Sequence, residues 1–151
     1  MFKFKNKKIS ISLLCFLVVS SLLIIYFSKD YRFSNSDVSN VNIKGDIFKV
    51  EVVSTENIMQ KGLGGREDIC SKCGMLFKFG KVGNYSFWMK DMQFPLDIIW
   101  LADNKIVHIE KNIQPDFNLT MSSPESANFV LELRSGNVNR LDLSVGDLVT
   151  F

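Results

Sequence analysis

Nineteen consecutive residues without a charge, Ile9 to Phe27 (ISISLLCFLVVSSLLIIYF), constrain this chain more than any other feature. At roughly 1.5 Å of rise per helical residue, the stretch matches the roughly 30 Å hydrocarbon core of a bilayer. Lys3, Lys5, Lys7 and Lys8 precede it, whereas only Lys29 and Arg32 follow closely, with Asp30 between them. Basic flanks stay on the cytoplasmic side. The expectation is a cytoplasmic basic tail over residues 1–8, one transmembrane signal-anchor helix over 9–27, and an extracytoplasmic remainder at the cell membrane. A cleaved signal is the alternative. Cutting at Val19-Ser20-Ser21 would strand Leu22 to Phe27 as an apolar end, and no small-residue site follows Phe27, so the uncleaved anchor is favoured.

The same lysines set the charge. The chain carries 18 basic and 16 acidic residues, a net charge of +2. Without those four lysines, the 14 remaining basic residues fall two short of the acidic ones. A faintly acidic body offers no electrostatic grip on nucleic acid, and no such partner is expected. At 46% hydrophobic residues the chain is not a disordered one. Two alanines against 13 each of Val, Ile and Phe lean it toward strands.

Residues 28–42 (SKDYRFSNSDVSNVN) show no apolar period and read as a flexible stalk, leaving 43–151 as one exported domain. Within it, Ile47 to Val53 alternates like a half-buried strand. Ser54 and Thr55 precede a short helix over Glu56–Lys61 that Gly62 stops. Met75–Phe79 and Tyr85–Lys90 read as strands separated by a turn over Gly80–Asn84. Leu96–Leu101 and Lys105–Glu110 form a hairpin around Asp103-Asn104, residues that tolerate positive φ. Asn112–Ala127 reads as a long loop and Phe129–Leu133 as a strand. Ser135 is placed to cap a helical turn reaching Leu141, and a last strand follows Val145-Gly146-Asp147. The fold class is α+β: a small, mainly antiparallel, barrel-like domain with two short helices, preceded by the transmembrane helix.

Cys70-Ser71-Lys72-Cys73 is the most chemically loaded local pattern. A redox pair of thioredoxin type would need a helix after the first cysteine, but a strand follows. A closed zinc site would need two further soft ligands, and His108 is the only histidine, so no metal or cofactor is expected. A short disulfide, the default outside the membrane, is favoured, with no function assigned to it.

Trp88 and Lys90 share one face of their expected strand, with Phe87, Met89 and Asp91 on the other. An aromatic ring beside an ammonium group suits a polar or anionic ligand; the plainer reading has Trp88 in the core and Lys90 reaching solvent beside Asp97 or Glu132. Asp97 and Glu132 are carboxylates set in apolar strands, and each must be solvated, paired or raised in pKa. Arg66, after Gly64-Gly65, is suited to anchoring a buried carboxylate through a two-pronged bond. His108 has no nucleophile motif near it, and the phosphate-loop, dinucleotide and serine-elbow patterns are absent.

Several segments occur in an order that resembles one family. Gly62-Leu63 with Arg66, Gly74-Met75-Leu76-Phe77 with Phe79, Phe87-Trp88-Met89-Lys90, Pro95-Leu96-Asp97-Ile98, Val130-Leu131-Glu132-Leu133, Gly136 and Val145-Gly146-Asp147 are similar to the domain of unknown function 192 family, also called uncharacterised protein family 0127. The resemblance spans about Phe48 to Val149. It implies a compact β-rich fold in small exported or membrane-anchored prokaryotic proteins, and no established activity, substrate or cofactor. Two departures stand out: Asp91 where the family commonly has Asn, and the Cys70–Cys73 loop.

The favoured functional expectation is a membrane-anchored accessory module. It would bind a small polar ligand or an envelope protein through Arg66, Trp88, Lys90, Asp91, Asp97 and Glu132. The alternatives are an envelope hydrolase using Asp97 or Glu132 with Lys90, and a purely structural domain.

Overall fold

The structure, a computed structural model, describes residues 37–151. The expected basic tail and membrane segment lie outside these residues, as does the stalk up to Ser36. The order of elements is β1 (Asp37–Ile43), β2 (Asp46–Val53), α1 (Glu56–Lys61), β3 (Cys73–Gly83), β4 (Ser86–Phe87), β5 (Leu96–Ala102), β6 (Lys105–Ile113), β7 (Met121–Ser122), β8 (Ala127–Arg134), α2 (Asn137–Arg140) and β9 (Val149–Thr150).

Seven strands form one sheet in the order β6-β5-β8-β3-β2-β1-β9, and β4 pairs with β7 in a small second sheet. All neighbours are antiparallel except β2 and β3, which the α1 crossover joins in parallel. The large sheet curls into a half-barrel whose two edges are stitched at one end. There Ile106 N–H donates to Asp147 O at 2.9 Å, Gly146 N–H to Ile106 O at 2.8 Å and Val149 N–H to Asn104 O at 2.8 Å. At that end the stitching pairs edge groups that would otherwise be open to another strand.

The concave face holds the main core: Phe48 and Val50 of β2, Leu76 of β3, Ile99 and Leu101 of β5, and Leu131 and Leu133 of β8, with Val138 and Leu143 from around α2. The convex face of the central strands is buried as well, by Val53, Met75, Phe77, Val130, Ile98 and Trp100. Phe87, Met89 and Phe94 are buried too, and Phe87 makes edge contacts with Phe77 and Trp100 on this second face.

Several local expectations hold. α1 covers Glu56–Lys61 and ends on Gly62 at φ 53. Asp103 and Asn104 turn the β5–β6 hairpin at φ 47 and φ 66, the primed-turn conformation that short polar residues tolerate. Others are corrected. The stalk was expected to reach Asn42, but Asp37–Ile43 pairs along its whole length with β2, because Val41 and Ile43 supply a buried face that the polar composition hides. The Tyr85–Lys90 strand shrinks to Ser86–Phe87, since the chain turns at Lys90-Asp91 and Asp91 O accepts a bond from Gly65 N–H at 2.8 Å. The Gly80–Asn84 turn is partly strand, as β3 runs on to Gly83, and the long loop contains β7. Ser135 does not cap α2, whose N-cap position is Gly136.

Gly74 shows how tightly β3 and β8 approach. A Cβ there would overlap the carbonyl oxygen of Glu132 and lie 2.8 Å from Leu133 Cδ2. Neither backbone can yield without opening the ladder. Gly74→Ala is expected to destabilise the protein by about 1–3 kcal/mol, the usual cost of overpacking, measured by urea denaturation.

Candidate functional site

The strand register sets one row of side chains across the convex face: Glu51 opposite Met75, Met75 opposite Glu132, and Glu132 opposite Ile98. Two carboxylates thus stand two strands apart, roughly 9–10 Å by interstrand spacing. Both are buried, Glu51 at 0% and Glu132 at 4% exposure. Their surroundings differ. Arg66 clamps Glu51 with two bonds, Nη1 to Oε1 at 2.5 Å and Nη2 to Oε2 at 3.1 Å, which fixes the segment after α1 against the sheet. Glu132 lies between Met75 and Ile98, and its Oε2 has no hydrogen-bond partner among the described residues. Burial pushes its pKa up from 4.5 to about 8, against the opposing pull of the Arg66 guanidinium. Burial thus favours the protonated acid near neutral pH, the form able to donate a hydrogen bond.

Glu132 lines a cavity of about 470 Å³ between α1, the start of the outer loop that follows α1 from Gly62 to β3, and the β3–β4 connection. Phe77, Phe79, Tyr85, Phe87 and Trp88 form most of its aromatic wall, with Met59 and Met92 beside them. Phe79 and Tyr85 stack at 3.5 Å with planes 9° apart. Glu56, Lys61 and Lys90 line it as exposed charged groups. A rigid aromatic wall with a few convergent polar groups is the ordinary make-up of a small-molecule site.

The structure sorts the sequence-derived candidates. Trp88, Lys90 and Glu132 meet at the cavity. Trp88 is 47% exposed rather than core, and it also borders a shallower groove with Phe117 and Leu119. Arg66 does not line the cavity; it is paired to Glu51, and its charge acts on Glu132 from there. Asp91 does not line the cavity; it occupies φ 58, a left-handed position that short polar side chains accept, and that geometry explains the residue without a ligand. Asp97 lies on the opposite, concave face, opposite Leu133, where its Oδ1 accepts from Asn112 N–H and its Oδ2 from Val138 N–H, each at 2.9 Å. It supplies the α2 cap that Ser135 was expected to supply. His108 sits against Trp100 at 5.3 Å and contacts Glu110 at 3.1 Å, away from the cavity. Cys70 and Cys73 are joined in a disulfide whose Cα atoms are 5.0 Å apart, closing the turn into β3.

Glu51 escaped the sequence reading because it occupies the polar position of an alternating strand. Val53, two residues on and apolar, was the available sign that this face is covered. Glu56, Lys61 and Tyr85 carry no motif and become neighbours only through the α1 crossover and the β3–β4 turn.

The DUF192 family model, described as uncharacterized ACR, COG1430, matches residues 39–151. The chain belongs to this family. No curated protein matches it. A crystal structure from Sinorhizobium meliloti 1021, called a "putative transcription regulator", is similar at 30% identity and a TM-score of 0.74, covering 79% of this chain and 97% of that one. A protein of unknown function from Novosphingobium aromaticivorans DSM 12444 is similar at 27% identity and a TM-score of 0.76, covering 81% and 91%. The DUF192 region of this chain thus begins inside the segment expected to be stalk, in agreement with β1.

Glu132 gives the DUF192 domain a definite pH signature. Below about pH 4.5 the side chain is protonated in folded and unfolded chains alike. Between about 4.5 and about 8 the unfolded chain releases the proton and the folded chain keeps it, so stability falls as pH rises. Asp46 and Asp147, whose pKa values are lowered chiefly by hydrogen bonds from Arg140 and Lys44 respectively, act only at lower pH. The wild-type chain is expected to lose up to about 1.4 kcal/mol per pH unit across this window from Glu132 alone. Glu132→Gln, a neutral isostere, should remove that loss in urea titrations at about pH 5 and pH 8.

Proposed function

We propose that this protein is a membrane-anchored, extracytoplasmic accessory module whose DUF192 domain binds a small ligand in the Glu132 cavity. The observation that carries the reading is the pairing of an aromatic-walled cavity of about 470 Å³ with a buried carboxyl group whose Oε2 has no hydrogen-bond partner among the described residues. An unsatisfied polar group is costly in a merely structural core, and a ligand supplies its missing partner. Lys90 and Trp88 at the opening suit a ligand with an apolar body and a polar end. The uncharged segment Ile9–Phe27 behind four lysines supports the anchor, and the Cys70–Cys73 disulfide supports an oxidising compartment.

A hydrolase using Glu132 with Lys90 is the second reading, favoured by the raised pKa of Glu132 at a cavity. The version that relies on Asp97 lacks geometry, because both Asp97 oxygens bind backbone amides on the other face. The regulator description of the Sinorhizobium structure adds nothing here, since the residues beyond Lys8 carry a slight acidic excess.

Two measurements test the proposal. Protease added to intact cells or spheroplasts should remove the DUF192 domain while leaving the membrane segment; full protection until lysis refutes the topology. In the full-length chain in nanodiscs, a bound fragment should shift the indole N–H resonance of exposed Trp88 more than that of buried Trp100, which reaches the wall only through Tyr85 O and Phe87. A fragment panel of neutral, acidic and basic aromatics that moves neither resonance refutes the cavity as a binding site.

A further inference from the structure

The charged groups around the cavity specify the class of ligand, an inference that rests on the binding reading above. Lys61 at the end of α1 and Lys90 in the turn after Met89 line the cavity as exposed groups with Glu56 at the start of α1, and Asp91 borders a neighbouring pocket together with both lysines. Behind the buried wall, Arg66 and Glu51 neutralise each other through their two-pronged bond. Tyr85 adds a phenol to the wall, but its hydroxyl already donates to Lys81 O at 2.7 Å. Glu132 is the one ionisable group at the buried end of the cavity among the described residues, and apolar Met75 and Ile98 flank it in the sheet.

We propose that the cavity takes an organic anion with an apolar body, of the aromatic or aliphatic carboxylate class. Lys61 and Lys90 draw its charge, the aromatic wall covers its body, and the Glu132 carboxyl, in its protonated form, donates a hydrogen bond to one of its oxygen atoms. An ammonium ligand fits poorly, because it would meet the two lysines that line the cavity. Burial holds the proton on Glu132 up to about pH 8, and a neighbouring anion favours that protonated form further. Binding is therefore linked to proton retention: an anion is taken up where Glu132 is neutral and released where it ionises.

The test uses the full-length chain in nanodiscs, with phenylacetate and hexanoate as anionic probes. Phenylethylamine and hexylamine are the cationic probes and benzyl alcohol the neutral one, all read by the Trp88 indole resonance and by calorimetry. The anions should bind with steady affinity below about pH 8 and weaken by about tenfold per pH unit above it, with proton uptake near pH 8. Lys61→Ala and Lys90→Ala, both at exposed positions, should each weaken the anions while sparing benzyl alcohol. Glu132→Gln should abolish the fall above pH 8, and Glu132→Ala should weaken the anions at every pH. Amines that bind in preference to the acids, more tightly as pH rises, would overturn the anion class and leave the binding reading standing. Benzyl alcohol binding alone would do the same. Silence from all five probes at millimolar concentration would overturn both.

Discussion

The two-pronged bond from Arg66 to Glu51 is the contact on which the convex side of this domain depends. Glu51 is fully buried in β2, and removing one partner of a buried charge pair of this kind costs about 3–5 kcal/mol. Satisfying it requires the segment after α1 to lie flat on the sheet. That position brings Gly65 N–H to Asp91 O and joins the outer loop to the Trp88–Asp91 turn. One wall of the cavity is thus held by a charge pair two strands away from the group that matters chemically.

Glu132 shows the opposite solution to the same problem. The sheet carries two carboxylates in one row and one guanidinium clamps only the first, so burial raises the pKa of the second and favours its protonated form. A neutral acid in an aromatic cavity is a hydrogen-bond donor whose competence depends on pH, and this links the stability of the fold to the chemistry of the site. Asp97 illustrates a third outcome, a buried carboxylate satisfied by two backbone N–H groups, where charge serves only to hold α2 and the end of β6 together.

Much of the local architecture was legible. The α1 boundaries followed from a stop glycine, and the β5–β6 hairpin from Asp103-Asn104. The ordered segments from Gly62 to Asp147 pointed to the DUF192 family. Among the site residues, Lys90 and Glu132 were legible as charges set in apolar stretches, and Trp88 as the aromatic ring two residues from Lys90. Asp91 and Asp97 broke the pattern equally well, yet one answers to a positive φ and the other to a helix cap. An anomalous residue type signals that something needs explaining, not which explanation applies.

By itself the sequence determined the local periods, the turns, the family and the expectation of a membrane anchor, because each rests on near neighbours along the chain. Which strand faces are covered was decided by the tertiary structure. β1 hides in a polar stretch because its partner β2 supplies the pairing, and Glu51 is buried because a loop from beyond α1 folds over it. The cavity exists only where the parallel β2–β3 crossover sets α1 beside the β3–β4 connection. Burial, and with it the protonation state of Glu132, depends on the atoms surrounding a group, and most of those atoms come from distant parts of the chain.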